Sequence, residues 1–452
     1  MEKRNFGASE GEKTILVGYG REDVTPDYPV SLAGNAASRV SEGSMDPIYF
    51  TCIALRQGEN TFLLATMDFV CTYEEFADPL RAHLSEVSGI PEERILLNST
   101  HTHSSVSARY ESGTGIPAYR ADLAKGAAAA VLAALEDLSP AEAWYGSVQT
   151  EGMVWVRHYK MADGTYAGAN YGSFQSGIVG HACEADGEMQ LIRFSREEKK
   201  DVVLMNFPSH ATLNQKSVLL SADFPGPARE YVAEKTDSLV AYFIAGGGDQ
   251  VPNSRVKEEC FSNDYRVYGE EVGRLAVEGL QKLTRAEAGE ISLSHRRFLG
   301  KSNKTGLERA EEALQVKAIW DQVGGRGTEK GRAAAKEHGF SSVYQVTAIL
   351  NRMKFEEELP LDMKVLSLGE MSLIFAPYEM FGSTSMKIKE DSPYPMTFLV
   401  SCAQNHVGYL PDEMGWRIGC YEAQITRFAP GTAERLGEEY VSMLREMKEA
   451  HA

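Results

Sequence analysis

Two histidines separated by a single residue follow a short apolar stretch of the chain. The stretch covers residues 95–97, and the histidines are His101 and His103. If an extended backbone continues through His103, both imidazoles leave the same face of the strand. Neutral imidazole is a common metal ligand and a common acid or base in catalysis. The pattern predicts the floor of a metal site, although two nearby histidines also occur as ordinary polar loop residues.

Three further residues of ligand type follow other apolar segments. His210 stands after a strand predicted for residues 201–207, and Glu379 and Tyr409 come later in the chain. Functional groups in open α/β sheets collect at strand ends, and zinc accepts nitrogen and oxygen donors. The sequence therefore offers a candidate ligand set from four separate segments.

Each of these residues also has an interpretation that needs no metal. His210 could be a hydrogen-bonded core histidine. Glu379 could cap a helix predicted to begin near Phe381, since carboxylates are favoured at helix N-termini. Tyr409 could be a core aromatic residue with a hydrogen-bonded hydroxyl.

Two familiar motifs are excluded by their spacing. The glycine run 246–248 lacks the Gly-Lys-Ser/Thr of a P-loop and the spacing of a dinucleotide fingerprint, so we interpret it as a tight turn that approaches the metal. The six cysteines are scattered without a Cys-x-x-Cys pair. Neither a thiolate zinc knuckle nor a disulfide framework is therefore indicated.

The composition is that of an ordinary globular protein with an acidic surface. Of 452 residues, 43% are apolar and 24% are charged, and the formal net charge is −18. This charge argues against nucleic acid and anionic membranes as main partners, and a small-molecule substrate is expected instead. No apolar stretch is long enough to cross a bilayer, and residues 1–13 lack the apolar core of a signal peptide. We therefore expect no membrane insertion and a cytoplasmic location, and nothing in the composition indicates an oligomeric state.

Predicted strands and helices alternate along the chain. This order is typical of an α/β fold with mixed β-sheets flanked by helices. Helical spacing is clear over residues 118–138, and the charged residues 300–340 keep a rough amphipathic spacing. No repeat or convincing linker interrupts the pattern. We predict a flexible polar N-terminus, residues 1–13, followed by a single large domain, residues 14–452.

Eight short segments occur in the order in which the neutral/alkaline ceramidase family has them, and the chain resembles that family over about residues 14–435. The segments are VGYGREDVTP (17–26), DP (46–47), STHTHS (99–104), NFPSH (206–210), GGDQVPN (247–253), PYE (377–379), GY (408–409) and YEA (421–423). The resemblance implies a divergent short member that corresponds to the family's N-terminal catalytic domain. The C-terminal β-sandwich of the long ceramidases is expected to be absent.

The resemblance also implies a metal centre and a set of catalytic residues. The implied zinc ligands are His101, His210, Glu379 and Tyr409. The residues implied to act on the substrate are His103, Arg157 and Tyr421. One zinc ion is expected, and the oxygen donors are also compatible with manganese or iron.

One position departs from the family pattern. The family has a serine in its GDxSPN segment, and Val251 stands in its place here. Valine can neither donate a hydrogen bond nor act as a nucleophile. Ceramide is therefore doubtful as the substrate, and a small polar molecule is expected.

Three functions follow from these observations. The leading one is a zinc-dependent hydrolase that cleaves an amide or a related carbonyl bond with metal-activated water. The second is a zinc-dependent lyase or isomerase that acts on a hydroxy-carbonyl compound such as a sugar acid. The third is a non-catalytic protein that binds a metal or another ligand.

Overall fold

The computed structural model describes residues 14–34, 38–108, 113–168, 177–253, 261–287 and 289–450, so the N-terminal stretch 1–13 predicted to be flexible lies outside the described residues. The strands are β1 (Ile15–Asp23), β2 (Ser31–Leu32), β3 (Arg39–Val40), β4 (Tyr49–Gln57), β5 (Asn60–Met67), β6 (Ile95–Ser99), β7 (Ser139–Gln149), β8 (Val154–Val156), β9 (His158–Met161), β10 (Tyr166–Gly168), β11 (Ile178–His181), β12 (Glu188–Arg196), β13 (Val202–Phe207), β14 (Leu239–Ile244), β15 (Gln250–Pro252), β16 (Thr284–Arg285), β17 (Ile291–Lys301), β18 (Glu358–Leu368), β19 (Met371–Phe375), β20 (Glu379–Met380), β21 (Met396–Val400) and β22 (Tyr409–Leu410). The helices are α1 (Glu74–Ser88), α2 (Ile116–Glu136), α3 (Pro225–Thr236), α4 (Tyr265–Leu280), α5 (Ala310–Gln322), α6 (Glu329–Glu337), α7 (Val343–Arg352), α8 (Gly382–Asp391), α9 (Glu413–Ile418), α10 (Tyr421–Ile425) and α11 (Thr432–Ala450).

Two β-sheets packed face to face form the middle of the protein. The larger sheet has the strand order β14-β13-β12-β7-β1-β4-β5-β6, with β16 paired to β7, and the smaller has the order β17-β18-β19-β21. Both sheets contain parallel and antiparallel pairs. Inward-facing residues such as Leu64, Phe243 and Phe398 form the core between them, as expected when each strand buries alternate side chains.

Helices cover the outer faces of both sheets. The first two long helices, α1 and α2, pack on one half of the larger sheet, and α3 and α4 pack on the other half. The smaller sheet is covered by α8 and α11. In α11 the buried residues include Leu436, Tyr440 and Leu444, four apart, which is the one-sided pattern of a surface helix. The helix–sheet–sheet–helix arrangement confirms the predicted α/β fold with mixed sheets.

Predicted helix positions agree with the structure to within a few residues. The sequence predicts helices over residues 118–138 and 228–237, and α2 and α3 cover Ile116–Glu136 and Pro225–Thr236. The earlier start of α3 is compatible with its proline, because proline fits the first turn of a helix. The amphipathic stretch predicted over 300–340 is also helical, and α5, α6 and α7 enclose a small apolar cluster around Trp320.

The larger sheet curls so that strands from its two ends meet. The hydroxyl of Thr66 in β5 donates to the carbonyl oxygen of Tyr242 in β14 at 2.8 Å, although these strands lie far apart in the sheet order. Beyond the strands, Thr102 and Ala211 form an isolated parallel bridge. This bridge places the segment after β6 next to the segment after β13. None of the described helices is long and apolar enough to span a membrane.

Candidate metal centre

Three histidines and one glutamate converge in the interior. The Nε2 atoms of His103 and His101 are 3.3 Å apart. The Oε2 atom of Glu379 lies 3.3 Å from His101 Nε2 and 3.1 Å from His210 Nε2. All four side chains are buried. The structure therefore brings together side chains from segments that are far apart in the sequence.

Each imidazole in this group is held through its Nδ1 atom by a backbone carbonyl. The acceptors are Val70 for His101, Gly34 for His103, and Gly247 for His210. Because a carbonyl oxygen only accepts, Nδ1 carries the proton and Nε2 presents a lone pair. Such outer contacts orient metal-binding imidazoles in known metal sites. Three lone pairs that face a buried carboxylate repel one another unless a cation lies among them.

The spacing of these atoms fits a coordination shell. Zinc binds imidazole nitrogen at about 2.0–2.1 Å, so neighbouring donors of a tetrahedral shell are roughly 3.3–3.4 Å apart. The distances of 3.1 Å and 3.3 Å from the Glu379 oxygen to the two histidine nitrogens are close to that value. The donor types and their spacing therefore fit a divalent metal ion.

The backbone that brings the two histidines of the His-x-His pair together differs from the predicted extended conformation. The strand β6 ends at Ser99, and His101 has a left-handed backbone with φ of 67°. The expectation that an extended backbone carries both imidazoles on one face is therefore wrong. The turn at His101 redirects its side chain instead, and the two rings pack edge to face with centroids 4.9 Å apart.

Glu379 and Tyr409 are direct partners in the two-residue parallel ladder between β20 and β22. The tyrosine ring lies parallel to the His210 imidazole with centroids 6.5 Å apart, and its hydroxyl is 3.5 Å from His210 Nε2. The second carboxylate oxygen of Glu379 lies 3.5 Å from Nε2 of His406. Both oxygen ligands implied by the resemblance therefore reach the cluster from one short ladder.

The alternative that Glu379 caps a helix is wrong. Helix α8 begins at Gly382, and the side chain of the preceding residue, Phe381, forms no capping hydrogen bond. The carboxylate that accepts a hydrogen bond from the Gly382 N–H, at 2.8 Å, belongs to Asp249. Burial raises the pKa of Asp249 to about 6. The carboxylate of Glu379 is thus left to the histidine cluster.

The glycine run 246–248 lies between the segments that carry the cluster. A Cβ atom on Gly247 would lie 2.6 Å from the carbonyl carbon of Pro208, so only glycine permits this approach. The next N–H, of Gly248, donates to the carbonyl oxygen of Met380 at 2.7 Å. The run is therefore a tight turn beside the candidate centre, as its composition indicates.

The protonation states favour metal binding. Burial, and then the charges of His101 and His210, lower the pKa of His103 well below its usual value. Burial and the nearby Arg157 guanidinium lower the pKa of His210 to about 4. Burial raises the pKa of Glu379, but the charges and hydrogen bonds that the surrounding histidines supply in their protonated forms lower it, and the net pKa lies well below the usual range. Neutral imidazoles and an ionised carboxylate are the forms that bind a metal.

Arg157 lies against the cluster and is fully buried. Its Nε donates to Oε1 of Glu422 at 2.7 Å, and its Nη2 donates to the same oxygen. Its Nη1 lies 3.3 Å from His210 Nε2, and the guanidinium lies 5.4 Å from the centroid of the Tyr409 ring. The arginine implied by the resemblance is therefore at the candidate centre, fixed in place by a carboxylate.

A second buried group surrounds Glu422. Its Oε2 lies 2.9 Å from Nε2 of His158, and Cys420 completes a set of three ligand-type atoms within 4.8 Å. Burial would raise the pKa of Glu422, but the charges of Arg157 and His158 lower it far below its usual value. Since the guanidinium already neutralises the carboxylate, we interpret this group as an ion network.

A cavity of about 510 Å³ opens onto the candidate centre. Among the residues singled out from the sequence, its lining includes His101, His103, Glu379, Tyr409 and Tyr421. The remaining two, His210 and Arg157, contact Tyr409 and are buried. All seven residues therefore lie at or next to one cavity.

Two participants lie outside the predicted set of ligands and catalytic residues. His406 stands three residues before Tyr409 and contacts Glu379, and Glu422 stands next to Tyr421 and binds the buried arginine. Their signal was position alone, since each lies beside an assigned residue. Val251, where the family has serine, is buried in β15 opposite a tryptophan of β8.

The four-layer arrangement is the fold of the neutral ceramidases. A crystal structure of neutral ceramidase from Pseudomonas aeruginosa has a TM-score of 0.73 at 17% identity, covering 97% of this chain and 75% of that chain. A structure of a ceramidase complexed with C2 has a TM-score of 0.71 at 15% identity, covering 97% of this chain and 76% of that chain. No family model matches the sequence, and a search of curated proteins finds no similar one. The likeness is therefore one of fold.

Proposed function

We propose that this protein is a zinc-dependent hydrolase that cleaves an amide, or a related carbonyl bond, in a small polar substrate. The observation that carries this proposal is the buried convergence of His101 and His210 on the Glu379 carboxylate, at 3.3 Å and 3.1 Å. The fold shared with ceramidases supports an amide hydrolase in particular.

The proposed ligands are His101, His210, Glu379 and Tyr409. A bound zinc would polarise the substrate carbonyl and lower the pKa of a water molecule from 15.7 toward about 7. The oxygen donors Glu379 and Tyr409 also suit manganese or iron. Metal analysis of the purified protein distinguishes these ions.

The proposed reaction consumes one water molecule for each amide. The carbon–nitrogen bond breaks, and a carbon–oxygen bond forms between the carbonyl carbon and the water oxygen. The nitrogen leaves as an amine and takes up a proton from water. At neutral pH the products are a carboxylate and an ammonium ion.

Side chains of the cavity provide the remaining chemistry. With its Nδ1 bonded to the Gly34 carbonyl, His103 has Nε2 as a proton acceptor, which supports a role in carrying a proton to the leaving nitrogen. The Arg157 guanidinium would stabilise negative charge on the reacting oxygen, a role worth roughly 3–4 kcal/mol per donor. Tyr421 lines the cavity beside Tyr409, with ring centroids 6.1 Å apart, and would donate a hydrogen bond to the same oxygen or to the leaving group.

One observation favours a second candidate. Val251 provides no hydroxyl where the resembling family has a serine. A lyase or isomerase acting on a hydroxy-carbonyl compound needs no such hydroxyl, because carbonyl polarisation and an acid–base pair suffice.

A substrate panel tests the proposal. Purified protein is assayed with N-acyl compounds and with sugar acids, as isolated, after chelation and after zinc is restored. We expect zinc-dependent release of primary amine from the N-acyl compounds and no conversion of the sugar acids. Zinc-dependent conversion of sugar acids without amine release would instead favour the lyase or isomerase. Ligand binding without any turnover would make it a non-catalytic binding protein.

A further inference from the structure

The segment that follows β5 holds the turn that carries His101. Strands β5 and β6 are parallel neighbours, and the N–H of Thr100 extends their ladder by donating to the carbonyl oxygen of Met67 at 2.8 Å. The hydroxyl of Thr100 donates to Oδ1 of Asp68 at 3.1 Å. The next contact is made by the carbonyl oxygen of Val70, which lies at Nδ1 of His101. One segment therefore holds the turn on both sides.

Asp68 is itself held by a buried arginine of α3. Nη1 of Arg229 donates to Oδ1 of Asp68 at 2.8 Å, and Nη2 donates to Oδ2 at 2.7 Å. The N–H of Tyr49 donates to Oδ2 at 2.9 Å. The side chains of Asp68, Arg229 and Thr100 are all fully buried. Because a bidentate pair is specific in its geometry, the carboxylate presents Oδ1 to Thr100 in one orientation.

The backbone of His101 needs such support. Its φ of 67° lies in the left-handed region, which residues other than glycine rarely adopt. Such a conformation persists where the surrounding contacts over-determine it, and it is common at functional sites. The same turn aims Nε2 of His101 at the Glu379 carboxylate, 3.3 Å away. Relaxation of the turn to an extended backbone would move this nitrogen away from the cluster.

We propose that Asp68, fixed by Arg229, is a positioning residue of the candidate centre, and that it acts through the Thr100 hydroxyl to keep His101 in its left-handed turn. This inference rests on the proposed metal centre and adds a residue that acts on it without touching the ion or the substrate. Unlike the Val70 carbonyl, the link consists of side chains, so substitution can remove it.

Thr100→Val tests the link with the smallest change. Valine has nearly the shape of threonine and lacks only the hydroxyl, and Thr100→Ser restores a hydroxyl. We expect zinc affinity, measured by competition with a chromogenic chelator, to fall roughly 10- to 100-fold in Thr100→Val, because a contact that orients a ligand is lost. Most of this affinity should return in Thr100→Ser. Wild-type affinity in Thr100→Val would overturn the proposal.

Thr66→Val is the matched control. It also removes a buried threonine hydroxyl, one that donates to the carbonyl oxygen of Tyr242, and it should keep the wild-type zinc affinity. An equal loss of affinity in Thr66→Val and Thr100→Val would mean that any lost hydroxyl in this part of the core weakens the site, and would refute a specific role for Asp68.

A double-mutant cycle tests the route from Asp68 to His101. We expect Asp68→Asn to lower zinc affinity at least as much as Thr100→Val does. If Asp68 acts through the Thr100 hydroxyl, the double variant should lose no more than the larger of the two single losses. Losses that add would refute this route. If Asp68→Asn does not fold, the Thr100 variants decide alone.

NMR of the histidine rings separates this inference from the proposed hydrolase. If the wild type binds no divalent ion, the metal-dependent hydrolase fails, and the ring nitrogen signals of the metal-free protein still report the tautomer of His101. We expect the Nδ1-protonated tautomer in the wild type, since the Val70 carbonyl can only accept, and a mixture of tautomers in Thr100→Val. The same single tautomer in both proteins would refute the inference. Zinc binding and amide cleavage that both survive in Thr100→Val would refute it while the hydrolase stands.

Discussion

His210 occupies the centre of the buried cluster, because it contacts Glu379, Tyr409 and Arg157 through one nitrogen atom. Replacing it with alanine removes a donor and leaves the carboxylate one contact short. We expect His210→Ala to lose stoichiometric metal from purified protein, measured by plasma mass spectrometry. The control is His295→Ala, which alters an exposed histidine on β17. Full zinc content in His210→Ala would contradict the proposed ligand set.

His103 should separate metal binding from turnover. Burial lowers its pKa well below the usual value, so the ring is neutral at neutral pH and presents the lone pair of Nε2. We expect His103→Ala to keep its metal and to lose roughly 10²–10³ in kcat. Metal content and rate are measured on the same preparation. Loss of both would make His103 a ligand, and retention of both would make it structural.

At the residue scale, the sequence predicts chemistry better than geometry. Histidine, glutamate and tyrosine after apolar segments indicate a metal site because few other residues can bind one. The left-handed backbone of His101 carries no such signal, since nothing in the residue types around it requires a turn. Glu422 was not assigned because its partner Arg157 lies 265 residues earlier.

At the scale of elements, the glycine turn after β14 determines how closely the segment that carries His210 packs against it. A side chain on Gly247 would meet the backbone of Pro208 at 2.6 Å, so Gly247→Ala must displace the segment that holds His210. We expect a metal affinity lower by roughly 10- to 100-fold, the effect typical of losing a group that orients a ligand. Competition with a chromogenic chelator measures it.

Gly180→Ala is the control for that prediction. A Cβ atom on Gly180, in β11, would meet nothing within 4 Å, so its metal affinity should equal that of the wild type. An unchanged metal affinity in Gly247→Ala would mean that the turn accommodates the added methyl group without displacing His210.

Long elements were predictable and short ones were not. Helices such as α2 and strands such as β13 contain enough residues for an apolar period to emerge. The ladder between β20 and β22 has two residues in each strand, too few for any period. That ladder nevertheless pairs Glu379 with Tyr409. Local sequence could indicate both residues but not their pairing, because hydrogen bonds between distant segments depend on the whole fold.

At the scale of the molecule, Glu422 joins the first half of the chain to the last. It is buried between Arg157 and His158, so removing its charge takes away the carboxylate that accepts two hydrogen bonds from the buried guanidinium. We expect Glu422→Gln to lower the free energy of unfolding by about 3–5 kcal/mol, measured by denaturant titration. The control is Asp321→Asn, which breaks the exposed Lys317 pair and should cost less than about 1 kcal/mol.

The difference between wild type and Glu422→Gln should depend on pH. The pKa of Glu422 is lowered in the folded protein, so its contribution is present above the unfolded value of about 4.3 and is lost as pH falls. Burial would lower the pKa of His158, but Glu422 raises it. The stabilisation that the His158–Glu422 pair contributes is therefore present below about pH 6.5 and is lost as pH rises. The stability difference should therefore be largest between about pH 4.5 and 6.5. A difference that stays the same below about pH 4.5 and above about pH 6.5 would argue against the ion network.

The fold class could be predicted from the sequence, but the order of the strands in each sheet could not. Alternating strands and helices indicate mixed sheets with flanking helices. Which strands share a sheet, and how the larger sheet curls to bring Thr66 to Tyr242, depend on contacts between residues far apart in the sequence. Apolar periodicity identifies the buried face of each strand and carries no information about its partner.

The β20–β22 ladder also determines when the candidate centre can form during synthesis. A nascent chain that has emerged from the ribosome only as far as β19 already carries His101 and His210 but has neither strand of the ladder. An N-terminal fragment of that length lacks Glu379 and Tyr409, two of the four proposed ligands. Contacts of such long sequence separation also slow folding. Uptake of the proposed metal should therefore be a late event, and a chain truncated before β20 should be recognisable by its lower metal content.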